Sequence, residues 1–147
     1  MRRIGKFWSL SARDQLLLCE AAILLLVLQF CIRFVSFERI HALLNRRFGN
    51  VGTKECPSFP QVRHHVERAV WRAARSLPWQ SSCLIASIAE FVMLRRRGIP
   101  AILVAGVKIL SDSSLWAHAW VCPGAQDVGQ ASISRDFVVV LRIGTQC

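Results

Sequence analysis

The sequence predicts an α+β fold in which a helix packs on an antiparallel sheet. Two observations predict it: two helical patterns of apolar residues come first, and three short segments rich in β-branched residues follow. Helices gathered before strands, rather than alternating with them, are typical of this class. The 147 residues and the 53% apolar content suffice for one packed domain with an amino-terminal appendage.

Residues 1–50 are predicted to form a helical, apolar amino-terminal segment that docks on a membrane or a partner. Ser11 can cap a helix that begins at about Ala12, and Asp14 stands where a side chain can reach back to the cap. Between Leu16 and Phe37 polar residues are few, so the stretch approaches the length that spans a bilayer. Basic residues on both sides remove the charge asymmetry that orients a span. A bundle or interface helix and a true span therefore stand as equal alternatives.

Residues 51–60, dense in Gly and Pro, are predicted to form a linker, and residues 61–147 the main domain. From Val62, apolar residues recur at spacings of three and four, and arginines occupy the other face, which predicts an amphipathic helix ending before Pro78. A second helix begins near Ser82, and either Ser81 or Ser82 can cap it. It ends in three arginines and a glycine, residues 95–98, a combination typical of a helix stop.

Three strands complete the predicted domain. They cover residues 101–110, 117–122 and 137–143, with a turn at 123–126 between the second and the third. Their short, apolar, β-branched character predicts an antiparallel sheet on which the second helix packs.

Charge and cysteine usage limit the partners and the compartment. The net charge of +10 suits an anionic partner such as lipid, nucleic acid or an acidic peptide. No CxxC pair occurs, which disfavours a metal site and a secreted disulfide framework. We therefore expect a cytoplasmic protein, associated with the inner membrane if the amino-terminal helix docks there. The six cysteines are Cys19, Cys31, Cys56, Cys83, Cys122 and Cys147.

The candidate chemistry lies in Cys83, at the start of the second helix, and His118, on the second strand. Side chains alternate along a strand, so His118 should share a face with Trp120, and its two alanine neighbours should leave it uncrowded. A helix amino terminus stabilises a thiolate through its unpaired N–H groups and its dipole, and the same groups could bind an oxyanion. Alone, such a cysteine is more often a small buried hydrophobe, and such a histidine is as often a core residue. Together they match the nucleophile and base of a thiol hydrolase.

A third group should orient the imidazole, and Gln130 and Asp127 compete for that role. If the chain turns tightly at Gly124, Gln130 falls nearly opposite His118 on the next strand, whereas Asp127 lies several residues away. Geometry thus favours Gln130. Charge favours Asp127, because a carboxylate stabilises an imidazolium better than an amide does. Asp136 is a weaker third candidate.

Four stretches in order resemble the lasso peptide leader peptidases, which are transglutaminase-like, papain-like cysteine peptidases. They are residues 77–84, 93–101, 106–108 and 117–121. The resemblance covers about residues 62–143 and is closest to the stand-alone peptidase form. It implies that Cys83 attacks the bond between the leader and the core of a ribosomally made precursor, with His118 as base. The family usually has an Asp about twelve residues after the His, where this chain has Gln130.

The resemblance also implies partners: a lasso precursor peptide, a leader-recognition protein and an ATP-dependent cyclase that closes the macrolactam ring. No cofactor is expected in the chain itself, because any dependence on ATP would come through the cyclase. One alternative is a non-catalytic transglutaminase-like scaffold that tethers a peptide-maturation complex at the membrane. Another is a basic lipid or nucleic-acid binder using the arginines. Nucleic acid is disfavoured, since the interleaved aromatic and basic residues that stack bases are absent.

Overall fold

The computed structural model describes residues 11–48, 59–78, 81–123 and 137–144. Within these ranges four helices precede three strands, which confirms the predicted α+β class. The helices are α1 (Ala12–Phe34), α2 (Phe37–Phe48), α3 (Phe59–Ser76) and α4 (Cys83–Arg96), and the strands are β1 (Ala101–Ile109), β2 (Leu115–Pro123) and β3 (Val138–Ile143).

Helix α1 begins where the sequence predicts. The Ser11 hydroxyl accepts a hydrogen bond from the backbone N–H of Asp14 at 3.2 Å and donates to the Asp14 carboxylate at 2.9 Å. The chain becomes extended at Val35, and α2 begins two residues later. The sequence pattern does not separate these two helices, because the apolar run continues across the break.

One side of α1 belongs to the protein core. Leu17, Ala21, Leu25 and Leu28 are buried against α3 and α4. By length and composition this helix could cross a membrane. Its buried side nevertheless packs on protein, as it does in the bundle helix that was one of the two alternatives.

Helix α4 is the central element of the fold. Every side chain from Ile85 to Arg95 is buried, and the helix contacts α1, α3 and the sheet. The predicted stop is confirmed, because Gly98 has a φ of +70°, a left-handed conformation that glycine adopts readily.

The arginines at the end of α4 make tertiary contacts. Arg95, which is only 4% exposed, donates from its guanidinium to the carbonyl oxygen of Phe48, the last residue of α2. Arg96 and Arg97 form ion pairs with Glu20 of α1. The interpretation of these arginines as a phosphate-binding cluster therefore loses its support, since all three bind groups within the fold.

The three strands form an antiparallel sheet in the order β2-β1-β3. Strand β1 is central, so in the described residues β2 pairs with β1 alone. Two carbonyl oxygens of β2 accept hydrogen bonds from side chains of α4 and α3. One sheet face, which includes Leu103 and Val121, joins the core that α4 lines. The opposite face carries Val104, Trp120 and Cys122.

Candidate active site

Cys83 is the first residue of α4. Ser82 caps the helix, since its hydroxyl oxygen accepts from the backbone N–H of Ile85 at 3.3 Å. The predicted choice between Ser81 and Ser82 as the cap is thus decided for Ser82. The Cys83 thiol is free and half-buried, and the first-turn N–H groups leave a favourable position for negative charge at this end.

The hydroxyl of Ser81 lies next to this cap. It is buried and has no hydrogen-bond partner among the described residues. A buried hydroxyl without a partner is costly in a folded protein, so it is a candidate to bind a substrate group.

His118 lies on β2, opposite Gly106 of β1. The predicted sharing of a face with Trp120 is confirmed, because the two rings stack nearly parallel with centroids 6.0 Å apart. Trp116 and Phe137 each place a ring centroid 6.1 Å from the imidazole. The sequence predicted an uncrowded histidine between two alanines, and that expectation was wrong because aromatic rings from β2 and the start of β3 surround it.

Two contacts define how α4 crosses the sheet. The Ser87 hydroxyl donates to the carbonyl oxygen of Ala119 on β2 at 2.9 Å. One turn further on, the Phe91 ring lies beside Gly144, close to the start of β1. The helix therefore runs from the free edge of β2 across the sheet toward the end where Ala101 pairs with Pro123.

This direction determines where Cys83 lies relative to β2. Cys83 precedes Ser87 by one helical turn, about 6 Å along the axis, and so lies toward the part of β2 that holds His118. The imidazole, however, projects from the sheet face opposite to the one that α4 covers. Among the described residues no hydrogen bond joins the two side chains. Any approach of thiol and imidazole therefore passes around the free edge of β2.

The third member of the site lies outside the described residues. This holds for Gln130, Asp127 and Asp136 alike. The geometric argument for Gln130 assumed that the strand after the turn pairs with β2. In the described part of the chain that strand, β3, pairs with β1 instead. The identity of the orienting residue thus stays a prediction.

A buried acid two turns after Cys83 was missed by the sequence reasoning. Glu90 is 7% exposed, and burial, helped by the nearby charge of Glu67, raises its pKa to about 7, while Arg63 opposes the change. The signal was present in the sequence, because Glu90 is the one carboxylate in a helix that is otherwise apolar on nearly every side.

Arg63 also differs from its predicted solvent-facing position on α3. It is half-buried, and its guanidinium donates to the carbonyl oxygen of Val121 at 3.5 Å, while its Nε is buried without a partner among the described residues. Helix α3 begins at Phe59, three residues before the predicted start. The arginine face of α3 is therefore divided between solvent and the edge of the sheet.

The other described cysteines are less suited to nucleophilic attack or lie elsewhere. Burial raises the pKa of the Cys122 thiol, which keeps it protonated. Cys19 is exposed and Cys31 is half-buried, and both belong to α1. In the described ranges no group of His, Cys, Asp and Glu has the arrangement of a metal site.

The comparison with protein families identifies the superfamily of this chain. The profile of the transglutaminase-like superfamily matches residues 24–142, which is well over half of the chain. The protein therefore belongs to the transglutaminase-like superfamily, which includes cysteine peptidases. No curated protein and no solved structure gave a significant match.

Proposed function

We propose that this protein is a cysteine peptidase that removes the leader from a lasso precursor peptide before macrolactam cyclisation. The observation that carries the proposal is a free cysteine at a capped helix terminus, in a helix that Ser87 fastens to the strand bearing His118. Membership of the transglutaminase-like superfamily supports the hydrolase class. The motif resemblance given above supports the choice of a lasso precursor as substrate.

In the proposed reaction, the Cys83 sulfur attacks the carbonyl carbon between leader and core. His118 accepts the thiol proton and donates it to the leaving amine, which frees the core peptide. Water, deprotonated by His118, then hydrolyses the thioester and releases the leader acid. Gln130 or Asp127 would orient the imidazole, and a leader-recognition protein would deliver the precursor to a cytoplasmic complex with the ATP-dependent cyclase.

Mass spectrometry of the precursor, incubated with this chain and the recognition protein, tests the proposal. Cys83→Ala and His118→Ala are each expected to abolish leader removal while circular dichroism stays unchanged. Cys31→Ala and His64→Ala are matched controls, because these residues lie on α1 and α3. Complete cleavage by Cys83→Ala would end the hypothesis.

The third residue is tested in the same assay. Gln130→Ala and Asp127→Ala are expected to reduce the rate unequally, and the larger loss identifies the residue that orients His118. Wild-type rates in both variants would exclude both residues from that role.

A non-catalytic scaffold is the second candidate, favoured by the lack of a hydrogen bond between Cys83 and His118 among the described residues. A thiol-reactive probe separates the two. A peptidase should label Cys83 at a rate that falls in His118→Ala, whereas a scaffold should show no such dependence. Because Cys19 is exposed, the experiment uses a Cys19→Ser background and locates the label by peptide mapping.

A further inference from the structure

Helix α1 exposes an apolar stripe on the side that faces away from the core, interrupted by Glu20 between Leu16 and Ile23. Its five large side chains are each 50–80% exposed. They follow one another at spacings of seven, four, three and four, so they share one face over about 27 Å of helix. The stripe consists of Leu16, Ile23, Val27, Phe30 and Phe34. An apolar surface of this length is unusual on a soluble monomer and indicates an interaction surface.

Exposed arginines lie at both ends of the stripe. Arg13 stands at the amino-terminal end, and Arg33 stands beside Phe34 at the other. The adjoining α2 exposes further arginines together with Phe37 and Leu43; these arginines are Arg39, Arg46 and Arg47, against the single carboxylate Glu38. This end of the stripe therefore has a cationic border.

The carboxylates of α1 do not offset that border. Asp14 pairs with His65 of α3 at 3.1 Å. Glu20 is held by Arg96 and Arg97 of α4. Both acids are thus bound by basic side chains of neighbouring helices.

The packing of the opposite side argues against a span. If α1 crossed a bilayer in this fold, the charged residues of α3 that pack beside it would have to enter lipid, or the core contacts of Leu17, Ala21 and Leu25 would break. A helix with one buried side and one apolar exposed side can instead lie in the plane of a membrane interface.

We propose that α1 docks this protein on an anionic lipid bilayer. The stripe would face the acyl chains, and the arginines around the α1–α2 corner would contact the phosphates of the headgroups. Apolar insertion and electrostatic attraction reinforce each other in such binding. The proposal needs neither Cys83 nor His118, so it stands apart from the proposed peptidase activity.

Vesicle flotation of the full chain tests this proposal. The protein is expected to float with phosphatidylcholine vesicles that contain phosphatidylglycerol, to bind pure phosphatidylcholine at least tenfold less, and to be released by high salt. The double variant Ile23→Gln/Phe30→Gln is expected to bind anionic vesicles at least roughly tenfold more weakly. Its matched control is Ile109→Gln/Val140→Gln, because these residues are similarly exposed but lie on the sheet.

A second pair of variants separates local charge from net charge. Arg33→Gln/Arg39→Gln is expected to weaken binding to anionic vesicles severalfold. Arg72→Gln/Arg75→Gln removes the same charge from exposed positions on α3 and should bind like wild type. Circular dichroism and thermal denaturation verify that every variant is folded.

Four results would overturn the proposal. The first is that the wild type does not float with anionic vesicles. The second and third are equal losses of vesicle binding in the stripe variant and its sheet control, or in the two arginine variants. The fourth is retention on the vesicles after a carbonate wash, which would indicate a span. If light scattering finds a dimer that the stripe variant dissociates, the stripe is an interface between copies, and the lipid proposal is wrong.

Discussion

The buried carboxyl of Glu90 is expected to make the stability of the fold depend on pH. An unperturbed glutamate has a pKa of 4.5, and burial raises that of Glu90 to about 7. The pKa of Glu90 is higher in the folded state than in the unfolded state. The contribution of neutral Glu90 to the free energy of unfolding is therefore fully present below pH 4.5 and is lost as the pH rises through 7. Each pKa unit corresponds to about 1.4 kcal/mol, so ionised Glu90 costs on the order of 3 kcal/mol at pH 8.

Glu90→Gln removes this ionisation while keeping the shape of the side chain. We expect the variant to be more stable than wild type by about 3 kcal/mol at pH 8 and by less than about 1 kcal/mol at pH 5. Urea denaturation followed by circular dichroism at the two pH values measures the difference. Glu38→Gln, at an exposed position on α2, is the control and should change little, because Glu38 is not among the charges that act on Glu90. An equal effect of Glu90→Gln at both pH values would refute the reasoning.

Three further predictions concern packing around the site. In Gly106→Ala an added Cβ would lie 3.0 Å from a carbonyl oxygen of β3, so a loss of about 1–3 kcal/mol is expected in thermal denaturation, and an unchanged midpoint would contradict it. Arg95→Met removes the donor to the Phe48 carbonyl and should lower the free energy of unfolding, measured by urea denaturation, by about 1–3 kcal/mol. Arg96→Met removes only an exposed ion pair and should lower it by less than about 1 kcal/mol. Equal losses would disprove the role of the buried contact. Ser81→Ala removes a buried hydroxyl without a described partner, so the unfolding free energy should rise by about 1–3 kcal/mol, and a loss of stability would reveal a partner.

Local signals in the sequence predicted the starts and stops of the elements well. Ser11 and Gly98 have the predicted roles, Ser82 was one of two predicted caps, and the three predicted strands agree with the structure to within two residues at each end. These features depend on a few neighbouring residues, whose preferences act without help from the rest of the chain.

Features that depend on distant partners could not be predicted in this way. Arg95 looks like a solvated helix end until Phe48 of α2 provides a carbonyl for it to bind. The aromatic rings around His118 belong to β2 and to Phe137, just before β3. They meet only in the folded sheet, in which β1 lies between these two strands. The break at Val35 is likewise invisible in an apolar run. The Cys83 and His118 assignments depend on the same long-range geometry and stay predictions until activity is measured.

The contacts of Ser87 and Arg63 with Ala119 and Val121 also occupy part of one edge of the sheet. An unpaired strand edge invites a second chain to add a strand to it, which is a common route to aggregation. Here a hydroxyl and a guanidinium occupy two carbonyl oxygens of the outermost strand. The helix that carries Cys83 would thereby hinder the addition of another strand at this edge of β2.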